Sequence, residues 1–359
     1  MVFVYLGEEL PKYAHASLEL AERFSGLDVT LLGNLVLRNQ IKKSNIDFVA
    51  IEDFYNSKKF MEVASKISLP LSFRNGFWSK TLERFFVLQQ YMETYQVPYI
   101  FHAELDQILF GCDKLLKSLE EIQFKGVALP FHTIDLGVAS VFYCNDIKSL
   151  ESLLEFANLL PSFHNEMELI AQWAISNPHM VKLLPTIASV EKSNDRYHYS
   201  GLEIIPYKTI DGILDARQIG QWLGGQDPRN VNIWTSPKNK YVESSSEEIL
   251  TYSELSNLEL ELTSEGSLLI LYNRSEVYNL YNVHLHSKIH PWIFKSDQNL
   301  RKLIDSSNQL EPIMFLESRR IQISDFFATG IKSISRHPIE SIMRFIREFF
   351  KWLMKDTFN

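Results

Sequence analysis

Val97–Gly111 reads VPYIFHAELDQILFG, an apolar β-type run interrupted by Glu104 and Asp106 two positions apart. In an extended strand residues i and i+2 project to the same side, so both carboxylates are expected to converge at the strand's C-terminal end. Held side by side without a cation they would repel, and one would take up a proton. The pattern therefore favours either a hard divalent ion or open solvent, as in a strand that simply runs out into an acidic loop.

The flanking sequence supplies a frame for that run. Val2–Leu6 and Val29–Leu32 read as buried strands on either side of a helix over about residues 12–24, and Ile46–Ile51 as a third strand. Between Ser79 and Gln96 the residues Leu82, Phe85, Phe86 and Met92 recur at helical spacing, with Ser79 placed to cap the start. Asp113 is similarly placed before Leu115, Leu116, Leu119 and Ile122, and strand-like runs follow at Val127–Phe131 and Val138–Tyr143. Helices are expected near Ile147–Asn158 and Glu166–Ile175, and a hairpin from Leu258–Leu262 to Ser267–Tyr272 with Ser264-Glu265-Gly266 as its turn. The polar stretches 191–200 and 243–248 read as exposed loops. Strands alternating with helices at this spacing predict an α/β protein, with a Rossmann-like, mostly parallel central sheet, flanking helices and a C-terminal helical tail.

Composition removes several classes of function. The chain has 359 residues, 45% of them hydrophobic and 13% aromatic, enough for a large core. At about 150 residues per domain the length allows two domains, although single α/β domains of this size are common. Lys and Arg number 36 against 44 Asp and Glu, a net charge of −8. That argues against general nucleic-acid binding, which needs a basic face to displace counterions. Cys112 and Cys144 are too few for a disulfide framework or a thiolate zinc site, and a reducing cytoplasm fits. The N-terminal MVFVYLGEEL carries no signal-peptide pattern, and no apolar run approaches the ~20 residues of a spanning helix.

Four further segments carry side chains suited to chemistry. In NVHLHSKIHPW, residues 282–292, His284, His286 and Lys288 alternate, so on a strand they would share one face. Imidazole ligates divalent ions and ammonium binds phosphate oxygens. Lys80 and Arg84 stand at i and i+4 on one helix face, either to contact a nucleotide or to form an ordinary solvated pair. Glu166 and Glu168 open a helix, where a carboxylate either complements the helix dipole or acts as a base. Residues 211–230, DGILDARQIGQWLGGQDPRN, offer Asp215, Gln218 and Gln221 as partners for hydroxyl groups, followed by Gly224-Gly225. The chain has no GxGxxG after a strand and no GxxxxGK[ST] phosphate loop.

The order FWSKTLERFF, FHAELDQILF and a late HLHSK resembles the nucleotide-sugar-dependent glycosyltransferases of the GT-A fold, in particular enzymes of bacterial surface polysaccharide assembly, and LDARQIGQWLGGQDPRN resembles a block of that group. The resemblance spans residues 1–295, which it marks as a GT-A-like catalytic domain, with 296–359 as an extension. It implies transfer of a sugar, hexosyl in type, from a nucleotide-diphosphate donor, UDP-linked by preference, to a hydroxyl of a glycan or lipid-linked acceptor. The family's Asp-x-Asp signature binds Mn²⁺ or Mg²⁺ and falls here on Glu104 and Asp106. A later histidine ligand falls best on His286, with His284 as the rival, and a diphosphate-binding lysine on Lys288. Lys80 and Arg84 are the other donor-binding candidates. If the reaction inverts the anomeric centre, Glu166 is the candidate base, with Asp215 and Gln221 beside it in the catalytic set. Glu104 departs from the family pattern, and so does Lys288, which precedes His290-Pro291-Trp292 where relatives place the lysine just before Pro-Trp. Two alternatives stand beside this reading: a sugar nucleotidyltransferase, although its loop after the first strand would read GEELPKY, and a catalytically inactive binding scaffold.

The tail has a character of its own. Ile339, Ile342, Met343, Ile346, Phe349, Phe350 and Leu353 form one helical stripe, and residues 331–359 carry six Lys or Arg against three Asp or Glu. Residues 338–355 are therefore expected either to lie on an anionic membrane surface or to dock on protein. The first case implies a cytoplasmic protein peripheral to the inner face of the cell membrane.

Overall fold

The computed structural model describes residues 1–41, 45–69, 76–191, 201–224, 255, 258–272, 276–286, 288 and 290–308. Residues 192–200, the ESSSEE segment, residues 225–230 at the end of the 211–230 block, and the tail from 331 lie outside them.

The first half of the chain runs β1 (Val2–Tyr5), α1 (Lys12–Phe24), β2 (Thr30–Gly33), β3 (Asp47–Ala50), α2 (Lys58–Ala64), α3 (Phe77–Tyr95), β4 (Ile100–Ala103), β5 (Gln107–Leu109), α4 (Cys112–Glu121), β6 (Val127–Thr133), β7 (Leu136–Gly137), β8 (Val141–Cys144), α5 (Ile147–Leu159) and α6 (Glu166–Ser176). The second half continues with β9 (Val181–Leu184), α7 (Ile187–Glu191), β10 (Glu203–Ile204), α8 (Tyr207–Ile210), α9 (Gln218–Gly224), β11 (Glu259–Leu262), β12 (Leu268–Tyr272), β13 (Glu276–Asn279), β14 (Asn282–His284), α10 (His290–Phe294) and α11 (Asp297–Asn308).

The central sheet has the order β10-β9-β6-β8-β4-β1-β2-β3, with β7 paired to β6. Its neighbours are parallel except around β8, which runs antiparallel to β4 and β6, and at the β6/β7 hairpin. This is the expected α/β architecture with a mostly parallel sheet. The central strands are covered on both faces, which is why they read as near-continuous apolar runs. Alternate residues serve opposite cores: Ile100, Val127, Leu129 and Phe142 meet α3, α5 and α6, whereas Phe3, Phe101, Ala128 and Val141 meet α1 and α4. On the first face Trp173 is fully buried, and its Nε1 donates to Ser152 Oγ at 3.1 Å.

The hairpin β11–β12 pairs Leu262 with Leu268, and Gly266 supplies the left-handed residue of its turn at φ 83°. Beyond the expected boundary at 295, α11 packs against β11 and α9, burying Leu300, Leu303 and Ile304. Among the described residues no helix is long and apolar enough to cross a membrane. Both cysteines are free and buried.

Several local expectations are corrected. α3 begins at Phe77 after Gly76, which is left-handed at φ 82°, so Ser79 lies inside the helix and does not cap it. Gly111, at φ 55°, precedes α4, and Asp113 sits in its first turn, where a carboxylate complements the dipole. The Val97–Gly111 run is two strands, β4 and β5, with Glu104-Leu105-Asp106 between them. The histidine segment is likewise not one strand. β14 ends at His284, His286 lies in a turn, and Lys288 is left-handed at φ 60°.

Candidate metal centre

Glu104 leaves β4 with its N–H donating to Ser140 O at 2.9 Å, and Gln107 N–H closes the turn onto Glu104 O at 3.3 Å. β5 then pairs antiparallel with β14, His284 standing opposite Gln107, and Leu285 N–H continues the pairing onto Asp106 O at 2.8 Å. A ladder between segments some 175 positions apart in the chain thus sets an imidazole beside the acidic turn. Ligand atoms of Glu104, Asp106 and His284 all lie within 4.8 Å of one another. Convergence of the two carboxylates therefore comes from the turn, not from strand alternation.

The state of His284 is set from behind. Its Nδ1 lies 3.1 Å from Ala216 O, a carbonyl that only accepts, so Nδ1 carries the proton. Nε2 then faces Asp106 Oδ2 at 3.3 Å and Glu104 Oε2 at 3.7 Å. A bare nitrogen lone pair against two carboxylates is repulsive, and the arrangement is satisfied either by a second proton or by a cation. Burial would lower the His284 pKa, but Asp106 and Glu104 raise it above the ordinary histidine value. Ligands about 2.0–2.2 Å from one ion stand roughly 3 Å apart, so the Nε2–carboxylate spacings of 3.3 and 3.7 Å need only a small closure, and one imidazole with two carboxylates can hold a divalent cation. The donor set fits the expected metal.

Two basic side chains brace the cluster. Lys288 pairs with Asp106, and its ammonium lies 5.1 Å from the centre of the Tyr13 ring. Burial pushes the Asp106 carboxyl up, yet Lys288 and His284 hold it well below the usual range. Arg84 pairs with Glu104, and its Nη2 lies 3.9 Å from Glu166 Oε1. Burial would lower the Arg84 guanidinium, but Glu104 and Glu166 outweigh it and keep it charged. Glu166 also accepts the Thr81 hydroxyl at 2.8 Å, and burial raises its pKa against the pull of Arg84 and Thr81. Lys80 does not follow Arg84 inward: it is exposed, and the two residues expected to act together are separated by burial.

No family model matches the chain, and no curated protein matches it. Solved structures do resemble it. Mouse xyloside xylosyltransferase 1 is 8% identical over 51% of this chain and 84% of its own, with a TM-score of 0.38. The PaToxG glycosyltransferase is 10% identical over 49% and 67%, at a TM-score of 0.34. The galactosyltransferase LgtC, in complex with donor and acceptor sugar analogues, is 12% identical over 57% and 84%, also at 0.34. Likeness at this level leaves function to the chemistry of the cluster.

The remaining expected residues take other roles than ligation. His286 is not the histidine brought to the carboxylates. Its ring stacks on His284 with centroids 4.0 Å apart and planes at 28°, and its buried Nε2 has no hydrogen-bond partner. Burial and the neighbouring His284 hold it well below the ordinary histidine pKa, so it is a neutral ring behind the cluster. Asp215, 2% exposed, directs its carboxylate to backbone: Oδ1 accepts from Ile219 N at 3.1 Å, and Oδ2 from Gly220 N at 2.7 Å and His284 N at 3.0 Å. Gln221 is buried on α9. The supporting residues that sequence reading did not single out are Ala216, Gln107 and Asn282. For the last two a signal existed, an amide inside each of the apolar runs DQILF and YNVHL. A backbone carbonyl such as that of Ala216 has none.

Proposed function

We propose that this protein is a metal-dependent glycosyltransferase of the GT-A type, moving a sugar from a nucleotide-diphosphate donor to an acceptor hydroxyl. The observation that carries the reading is His284, locked by Ala216 O with Nε2 directed at Asp106 and Glu104. Glu104, Asp106 and His284 would hold Mn²⁺ or Mg²⁺, which would supply Lewis-acid stabilisation of the charge on the departing nucleotide. Lys288, paired with Asp106 here, would add positive charge at the donor's phosphates by turning its ammonium toward them. Arg84 keeps Glu104 oriented and holds Glu166 nearby. Glu166, buried and with its pKa raised, suits proton removal from an acceptor hydroxyl in an inverting reaction. The family resemblance implies a UDP-hexose donor and an acceptor, glycan or lipid-linked, in surface polysaccharide assembly.

A second reading has an observation of its own: Arg84 and Lys288 already neutralise both carboxylates of the turn, as they would in a scaffold that needs no metal. One experiment separates the two. Donor hydrolysis or transfer, followed with a panel of nucleotide sugars, is expected to vanish after chelation and return with Mn²⁺. Turnover that survives chelation removes the metal proposal, and no nucleotide binding with or without Mn²⁺ favours the scaffold.

The proposed membrane association of residues 338–355 has a separate test. Full-length protein is expected to pellet with anionic vesicles, and a chain ending near Gly330 to remain in solution. Equal pelleting of the two would end the membrane proposal.

A further inference from the structure

We infer that Asp215 is a positioning residue for the cation site, not a sugar-binding or proton-transferring one. The inference rests on the metal reading above and extends it to what holds the ligands together. Both carboxylate oxygens of Asp215 are committed to backbone N–H groups, and one of those groups belongs to His284 itself. The neighbouring Ala216 carbonyl receives the proton of His284 Nδ1. A two-residue segment therefore fixes both the backbone and the ring of the imidazole ligand, as the orienting partners of metal-bound histidines do.

The same segment reaches the carboxylate ligands. Asp215 N–H donates to Asn282 Oδ1 at 2.9 Å, and Asn282 Nδ2 donates to Asp215 O at 2.8 Å. Asn282 Nδ2 also donates to Gln107 Oε1 at 2.7 Å, and Gln107 directly follows Asp106. Gln107 and Asn282 are both fully buried. The knot Asp215–Asn282–Gln107 thus locks the relative positions of the acidic turn, β14 and the start of α9. A carboxylate at position 215 serves this better than an amide, because it presents acceptors, and no donor, to three N–H groups.

Calorimetric titration of Mn²⁺ into wild type, His284→Gln, Asp215→Asn and Gln107→Met tests the inference, with thermal melting of each metal-free protein alongside. His284→Gln establishes that the titration reports this site. Asp215→Asn turns an NH₂ toward amides that need an acceptor, and should weaken Mn²⁺ binding about 10–100-fold while cooperative unfolding persists. Gln107→Met, which cuts the side-chain tie from Asn282 to the acidic turn and leaves the hydrogen bonds of Asp215 and Ala216 to His284 in place, should weaken it several-fold and carries the test if Asp215→Asn does not fold. A lower melting temperature with unchanged Mn²⁺ affinity in these variants would show a merely structural role and overturn the inference. Absence of Mn²⁺ binding in wild type, or indifference to His284→Gln, would instead bring down the metal reading on which it stands.

Discussion

Asp106→Ala is expected to abolish measurable Mn²⁺ binding and to lower donor turnover by roughly 10²–10³-fold, the scale of losing a preorganised electrostatic contact. Asp106 is the ligand with most to lose, since His284 Nε2 and the Lys288 ammonium both address it. The substitution also removes the carboxylate that pairs with Lys288, whose side chain is 13% exposed, and breaking a buried ion pair by deleting one partner typically costs about 3–5 kcal/mol. Loss of activity could then reflect unfolding. The double variant Asp106→Ala/Lys288→Met separates the two effects, because replacing a buried ion pair by apolar groups is close to neutral for stability. It should recover most of the urea-unfolding midpoint and none of the Mn²⁺ affinity. A folded Asp106→Ala protein that binds Mn²⁺ like wild type would sink the assignment of Asp106 as a ligand.

Gly220→Ala should destabilise the protein, against the usual rule for helices. In an exposed helix interior the exchange gains about 1 kcal/mol. At Gly220, however, a Cβ would lie 2.0 Å from the His284 carbonyl oxygen and 2.4 Å from its carbon. Those atoms are backbone and cannot rotate aside, so α9 and β14 must separate, and overpacking of this kind costs about 1–3 kcal/mol. Contact wins over propensity. Because Gly220 N–H and His284 N–H share one oxygen of Asp215, the separation should also weaken Mn²⁺ binding. Urea unfolding and calorimetry check both effects, and an unchanged midpoint with unchanged affinity would mean that α9 does not hold His284 in place.

Most of the sheet was legible because its strands carry their pattern locally. β1, β2, β4 and β6 are short apolar runs between helical periodicities, and α5 and α6 appear within a residue or two of their expected limits. Ser79 and Asp113 do not cap their helices, and for one reason. Gly76 and Gly111, both left-handed, break the chain before the polar residue that looked like the cap. Lys80 and Arg84 show how far spacing reaches. Their i, i+4 relation is correct, yet only Arg84 turns inward to Glu104 and Glu166, which come from β4's end and from α6.

What the sequence determined by itself was the α/β alternation and the inventory of ligating side chains: two carboxylates in one short segment, two histidines and a lysine in another. Those are properties of residue type and local period, readable wherever the chain goes. Which histidine meets the carboxylates was decided by tertiary structure alone, because it depends on the β5–β14 register that sets His284 opposite Gln107 and on the turn that folds His286 behind it. Hydrogen bonds between segments far apart in the chain leave no periodic trace in either. Asp215 shows the same limit, since an acidic residue in a polar block reads as a sugar partner until the amides that claim its oxygens are seen.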